Sequence, residues 1–234
     1  MNNLIIPNHV ALILDGNRRW AQKHNLKYWE GHRRGSENFE KFLDWCLELN
    51  IPQISAYILS SENLNRPKRE VAEILRLLKI QLDKFETEKA SLLDKYEIRV
   101  RFCGDFKKLP PDLVNVMKRI MKKTEKYSKR ALNLLIAYGG RFELTNVIKK
   151  MVETAVKSGR IQITKKTIEE NLLVSGDVDL VIRTGGFSRL SNLLPWQTTY
   201  AEIYVTETLW PDFTKKELMK AIKWFNKVKR NFGR

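Results

Sequence analysis

The sequence predicts an α/β domain built on a single open, mostly parallel sheet with helices on both faces. Two observations carry that expectation. Short runs of Val, Ile and Leu alternate along the chain with long amphipathic segments, and strands separated by helices pair in parallel and are covered on both sides. Each run also gives way to glycine, polar or charged residues, which places the chemistry at strand ends. A length of 234 residues with 43% hydrophobic content supports one core, so residues 1–234 are read as one domain.

The first run, Val10 to Leu14, stops at Asp15, Gly16, Asn17, Arg18 and Arg19 and leads into a basic helix. Ile54 to Leu59 leads into SSENLNRP and a long helix. There Val71, Ile74, Leu75, Leu78, Leu82 and Phe85 keep an i, i+3, i+4 rhythm, and Pro67 stands where a first helical turn tolerates it. Ile98 to Cys103 precedes GDFKKLPPD, and Leu132 to Ala137 precedes YGGRFE and another helix. Asp179 to Ile182 precedes RTGGFSRLSN, and Ile203 to Thr206 leads through LWPDF to a C-terminal helix. No solenoid repeat, low-complexity tract or linker interrupts this plan.

A formal net charge of +16 calls for an anionic partner: nucleic acid, an anionic membrane or a phosphorylated small molecule. Much of the excess lies on helical stretches such as KKLPPDLVNVMKRIMKKTEKYSKR, where a solvated helix face is the simpler reading. The chain has no helix-turn-helix pattern, zinc-finger spacing or aromatic RNA-binding signature, so no nucleic-acid partner is expected. Cys46 and Cys103 sit far apart in apolar contexts and read as reduced core thiols. No apolar run is long enough to cross a bilayer, and Met1 to Pro7 has neither the basic start nor the apolar core of a signal peptide. The expected location is cytoplasmic, with peripheral membrane contact left open.

In such a sheet the carboxyl ends of the strands share one edge, and ligands bind there. That edge gathers Asp15 to Arg19, Ser60-Ser61-Glu62-Asn63, Gly104-Asp105, Tyr138 to Arg141, and Arg183 to Gly186. Glycines admit close backbone approach, helix N-termini favour anions, and arginines grip phosphate oxygens in pairs. The edge is therefore expected to bind phosphate, at more than one site. Asp15 among these bases fits a Mg2+ ligand, since magnesium commonly bridges carboxylate and phosphate. Capping of the next helix explains Asp15 equally well on its own, but the arginines at equivalent strand ends favour the metal. Walker and dinucleotide glycine motifs, zinc-protease helices and nucleophile elbows are all absent, as are aspartate-rich diphosphate motifs.

Taken together, HVALILDGNRRWA, Gly31-His32, SSENLNRP, YGGR, DLVIRTGG, SRLSN, and WQTTYAEIY followed by LWPDF resemble the cis-prenyltransferases, the undecaprenyl diphosphate synthase family, over nearly the whole chain. The resemblance implies Mg2+-dependent transfer of an allylic prenyl group from its diphosphate to isopentenyl diphosphate, with cis elongation. It also implies an apolar tunnel beneath the phosphate edge and a homodimer. By the same likeness Asp15 carries the metal and the leaving diphosphate, which Gly16, Asn17, Arg18, Arg19 and His32 cradle. Arg66, Arg183, Arg189 and Ser191 are implied to hold the acceptor diphosphate, with Ser60, Ser61 and Glu62 beside them. Glu202 is implied as a second metal-site carboxylate, and Asn63 as the residue of proton removal. A neutral amide is a poor base, so orienting the proton's route to a phosphate oxygen is the physical alternative for Asn63.

The chain departs from the family pattern at Leu64, Tyr28, Phe187, Ser188 and Asn231. Several of these changes remove a charged, phosphate-facing group. They raise a second expectation, that ionisation of the allylic substrate is kept while atypical acceptors, an allylic diphosphate or an alcohol, are tolerated. The rival from another class is a basic module for nucleic acid or anionic membrane.

Overall fold

The computed structural model describes residues 4–160 and 162–230. Asn231 lies outside the described residues. Six strands form one sheet: β1 (His9–Ile13), β2 (Gln53–Ser60), β3 (Ile98–Cys103), β4 (Arg130–Tyr138), β5 (Leu180–Arg183) and β6 (Glu202–Val205). Their order is β3-β4-β2-β1-β5-β6, and every ladder between them is parallel. The α-helices among the described residues are α1 (Asn17–Lys23), α2 (Tyr28–Glu48), α3 (Lys68–Thr87), α4 (Ala90–Tyr96), α5 (Pro111–Thr124), α6 (Gly140–Ser158), α7 (Lys165–Asn171) and α8 (Lys215–Phe225).

Alternation along β1 explains why both faces need cover. Val10 and Leu12 pack with Phe42, Met117, Trp210 and Ile222 in the larger core. Ala11 and Ile13 point the other way, against Leu135, Tyr138, Val178 and Leu193. A strand buried on both faces is what a parallel sheet demands. Cys46 and Cys103 are buried and free, as expected, and burial pushes the Cys103 thiol up to about 12.

Apart from β3, the strand limits differ from expectation by one or two residues. β1 stops at Ile13, β5 runs to Arg183, and β6 begins at Glu202. Ladder pairing sets these limits, and it continues to Arg183 because Ile13 and Val205 flank that residue in register. Gly31 and His32 lie inside α2 rather than in a loop. Central β1 has β2 on one side and β5 on the other, so the segments leaving these three strands open onto one crevice.

Candidate active site

The turn after β1 is set by Gly16, which has φ +118 and faces Leu209 so closely that an added Cβ would lie 2.9 Å from that side chain. Glycine is required here on both counts. Gly16 is the N-cap of α1, and no side chain caps the helix. Asp15 is therefore not a capping residue. Its Oδ2 accepts from Arg183 Nη2 at 2.8 Å and its Oδ1 from Arg19 Nη2 at 3.1 Å. Its backbone carbonyl accepts from Thr184 Oγ1 and the Trp210 amide.

Arg183 is 3% exposed. Besides Asp15 it donates to Ser191 Oγ at 2.8 Å and to the Arg189 carbonyl, while its Nε is buried without a partner. Ser191, Asn192 and Leu194 all have positive φ without being glycine. Such backbone strain gathers where a side chain must be aimed. Here Asn192 ties the segment to the start of α6 through the Arg141 amide, and Ser191 meets Arg183.

Across the crevice, Gly31 and Gly35 on α2 let α1 pack tightly. A Cβ at Gly31 would sit 2.0 Å from the Asn17 carbonyl, and one at Gly35 would sit 2.2 Å from Asn17 Oδ1. One helical turn thus separates two contact points, and His32 rides beside them. Burial, then the Arg66 charge, hold the His32 imidazole down to about 4 against the opposing pull of Glu70, with Arg18 adding to the lowering. His32 is therefore neutral near pH 7, and its Nε2 is buried without a partner. Arg66 donates to Glu70 Oε1 at 3.1 Å, and Arg18 approaches the same oxygen at 3.7 Å. Glu70, 4% exposed, is a site residue that sequence reasoning missed. Its i, i+4 spacing from Arg66 was the available signal.

Asp15, Gly16, Asn17, Arg18, Arg19, His32, Ser60, Asn63, Arg66, Arg183, Arg189 and Ser191 all line one cavity of about 730 Å³. Its walls continue into Phe39, Leu43, Ile74, Leu78, Leu82 and Phe85. The α3 stripe therefore borders a cavity along part of its length as well as packing on the core. From Lys68 to Phe85 the helical rise alone spans roughly 25 Å.

Two expected acceptor contacts are not on this wall. Ser61 Oγ donates to Glu62, which also accepts from Asn192 Nδ2 at 2.9 Å, so both residues brace the strand-end loops. Asn63 is tied to Ser60, whose Oγ accepts from the Asn63 amide at 3.1 Å. Glu202 opens β6 opposite Leu180, three residues before the Arg183–Val205 pair, at the amino end of that strand. Tyr28 instead meets Trp29 edge-on, and Leu64 packs on the main core. Trp210 is a packing anchor, with Nε1 donating to the Gly35 carbonyl at 2.7 Å.

Among the described residues no group of three or more His, Cys, Asp or Glu could hold a metal ion. A cage made wholly of protein does not fit. A magnesium ion held by one carboxylate and completed by phosphate and water does fit Asp15, next to cavity-lining groups whose orphaned Nε2 and Nε call for an anion.

Anion-seeking groups at strand ends above an apolar cavity define an enzyme class that handles a charged head on a hydrocarbon tail. The family model for undecaprenyl diphosphate synthases, a prenyltransferase family, matches residues 13–233, and the chain belongs to that family. It is a cis-prenyltransferase. The isoprenyl transferase of Aquifex pyrophilus is 42% identical over 99% of this chain and 98% of its own. A tritrans,polycis-undecaprenyl-diphosphate synthase (geranylgeranyl-diphosphate specific) from Methanopyrus kandleri is 37% identical over 98% of this chain and 85% of its own. Among solved structures, lavandulyl diphosphate synthase from Lavandula x intermedia, in complex with dimethylallyl diphosphate, superposes with a TM-score of 0.89 at 30% identity, covering 97% of this chain and 98% of that one. A probable undecaprenyl diphosphate synthase from Campylobacter jejuni gives 0.79 at 34% identity over the whole of both chains.

Proposed function

We propose that the protein elongates an allylic diphosphate, such as farnesyl or geranylgeranyl diphosphate, with isopentenyl diphosphate. The observation that carries this reading is the single cavity, which joins arginines and an acid at one end to Leu, Ile and Phe at the other. The reacting C–O bond breaks with both electrons leaving on diphosphate. The acceptor's alkene electrons then form the new C–C bond, and a proton passes from the acceptor carbon to a diphosphate oxygen.

Negative charge grows on the departing diphosphate, so fixed donors around it act most strongly in the transition state. Arg19 and His32 Nε2, with the amides of Gly16 to Arg19, are assigned to the allylic diphosphate, and neutral His32 can donate one hydrogen bond. Arg66, Arg189 and Ser191 are assigned to the acceptor diphosphate. Arg183, with its donors on Asp15, Ser191 and the Arg189 carbonyl, acts by fixing those groups as well as by its charge. Asp15 would hold Mg2+, which when bound supplies charge neutralisation to the leaving group. Asn63, locked to Ser60, orients the departing proton rather than accepting it.

A homodimer fits the exposed faces. Ile148, Val152 and Val156 are 63%, 57% and 79% exposed on one α6 stripe, an apolar surface suited to a second copy. Among the described residues no helix is long and apolar enough to cross a membrane. Peripheral membrane contact serves the release of a long product.

Incubation with labelled isopentenyl diphosphate and farnesyl, geranylgeranyl or dimethylallyl diphosphate, with Mg2+, tests the reading. Polyprenyl product is expected with the first two primers. Absence of product with every primer overturns it. A second reading, transfer to another allylic diphosphate, is favoured by one observation, the likeness to lavandulyl diphosphate synthase. Formation of a branched product from dimethylallyl diphosphate alone would establish it.

A further inference from the structure

The consecutive glycines after β5 turn the chain sharply, both at φ +81. Their amides are tied to the carbonyls of Thr208 and Thr206, and a Cβ on Gly185 would fall 2.3 Å from Arg19 Nη2. The turn delivers Phe187, 40% exposed, into the middle of the arginines. Its ring centroid lies 4.2 Å from the Arg189 guanidinium carbon, 4.7 Å from that of Arg19 and 5.8 Å from that of Arg183. The ring is absent from the cavity wall, whereas all three arginines line it.

Three guanidinium groups gather around this ring, and Asp15 pairs with two of them, Arg19 and Arg183. Like charges at this spacing repel, and an aromatic face offsets that repulsion through its quadrupole. The geometry of the contact decides its use. A ring binds the flat face of a guanidinium and leaves the five N–H donors in its plane free, whereas a carboxylate would take two of them. For Arg189 the ring is the one side-chain partner among the described residues. We infer that Phe187 is a positioning residue. It clusters Arg19 and Arg189 at the boundary between the two diphosphate sites and keeps Arg189's donors free for phosphate. The inference rests on the proposed function for the identity of the substrates, and it reverses the expectation that an apolar residue here weakens the grip on a diphosphate.

Inorganic pyrophosphate is the probe, and calorimetry on the full chain is the measurement. Phe187→Leu keeps apolar bulk and removes the π-face. It is expected to weaken pyrophosphate about ten-fold, the scale of two modest cation–π contacts, with the midpoint of thermal unfolding unchanged. Phe187→Trp should restore binding to within about two-fold, because indole is the strongest cation–π partner. Phe187→Glu should weaken it further than Leu, by occupying donors and repelling phosphate. In turnover, Phe187→Leu should raise the KM for the acceptor several times more than it lowers kcat. Wild-type affinity in Phe187→Leu, or failure of Phe187→Trp to rescue, overturns the inference. A wild-type protein that binds pyrophosphate with this pattern of variants but makes no prenyl product would overturn the proposed function and leave the role of Phe187 standing.

Discussion

Asp15 and Arg183 share a hydrogen bond of 2.8 Å in which the carboxylate is 28% exposed and the arginine side chain only 3%. The acid at the mouth of the site is thus the counter-charge of its most buried base. This pairing gives Asp15 a structural role beside the metal-binding one proposed for it.

Asp15→Ala should abolish turnover, with kcat falling by roughly a thousand-fold or more, the scale of a lost electrostatic stabiliser. It should also cost about 1–3 kcal/mol of stability, because Arg183 loses a charged partner inside the protein. Asp15→Asn should recover most of the stability and little of the activity. Urea unfolding beside steady-state kinetics separates the two effects. Equal recovery of both would show that Asp15 serves the fold alone.

Gly31→Ala should damage the site from a distance. Its Cβ would meet a backbone carbonyl at 2.0 Å, so α1 must move and carry Arg18 and Arg19 with it. A loss of about 2 kcal/mol or more is expected, with a raised KM for the allylic substrate. Unchanged melting and unchanged KM would contradict the packing described for Asn17 on α2.

Acid should unfold the protein earlier than exposed histidines would allow. Burial holds both His9 and His32 down to about 4 from an ordinary 6.5. A lowered pKa means that the unfolded chain takes up protons first. The stabilising contribution of each neutral ring is full above pH 6.5 and is lost as pH falls toward 4, by up to about 3 kcal/mol each. Urea midpoints measured from pH 7.5 to 4 should fall, and His32→Gln should flatten the decline. An identical slope in that variant would refute the contribution of His32. His9 has a different anchor, with Nε2 at 2.7 Å from Ser55 Oγ, so replacing it should cost stability at every pH.

Leu78→Trp should shorten the product. Leu78 faces the cavity from α3, where added bulk displaces a growing chain. A distribution shifted to fewer isoprene units, measured by mass spectrometry with little change in initial rate, is expected. An unaltered distribution would place the chain elsewhere.

The strands and their ends were legible because short apolar runs and glycine punctuation are local properties of the chain. Asp15 and its neighbouring arginines followed from that plan, and their convergence needed only parallel topology. The dual pairing of Asp15 did not follow, because Arg183 comes from a strand 168 residues away and its side-chain direction is set by Ser191. The place of Glu202 at the start of β6 was hidden for a related reason. A motif gives a residue's order along the chain, whereas strand register decides which end of the sheet it occupies. Gly31 and Gly35 were visible as letters, but their function is the closeness of two helices, which spacing alone does not reveal. For Phe187 the change toward apolar character was readable, and the three charged faces around the ring were not.

The apolar stripe of α3 leaves Ile74, Leu78 and Phe85 bordering a cavity in addition to packing on neighbouring side chains. A hydrocarbon there gains about 0.8 kcal/mol for each methylene withdrawn from water, so successive condensations deepen the well that retains the chain. Growth thereby works against departure, and turnover slows to the rate at which the longest chain escapes. An external apolar phase lowers that barrier. Detergent micelles or lipid vesicles should raise the steady-state rate while leaving the first condensation unchanged, making the bilayer a sink that sets the pace of the enzyme.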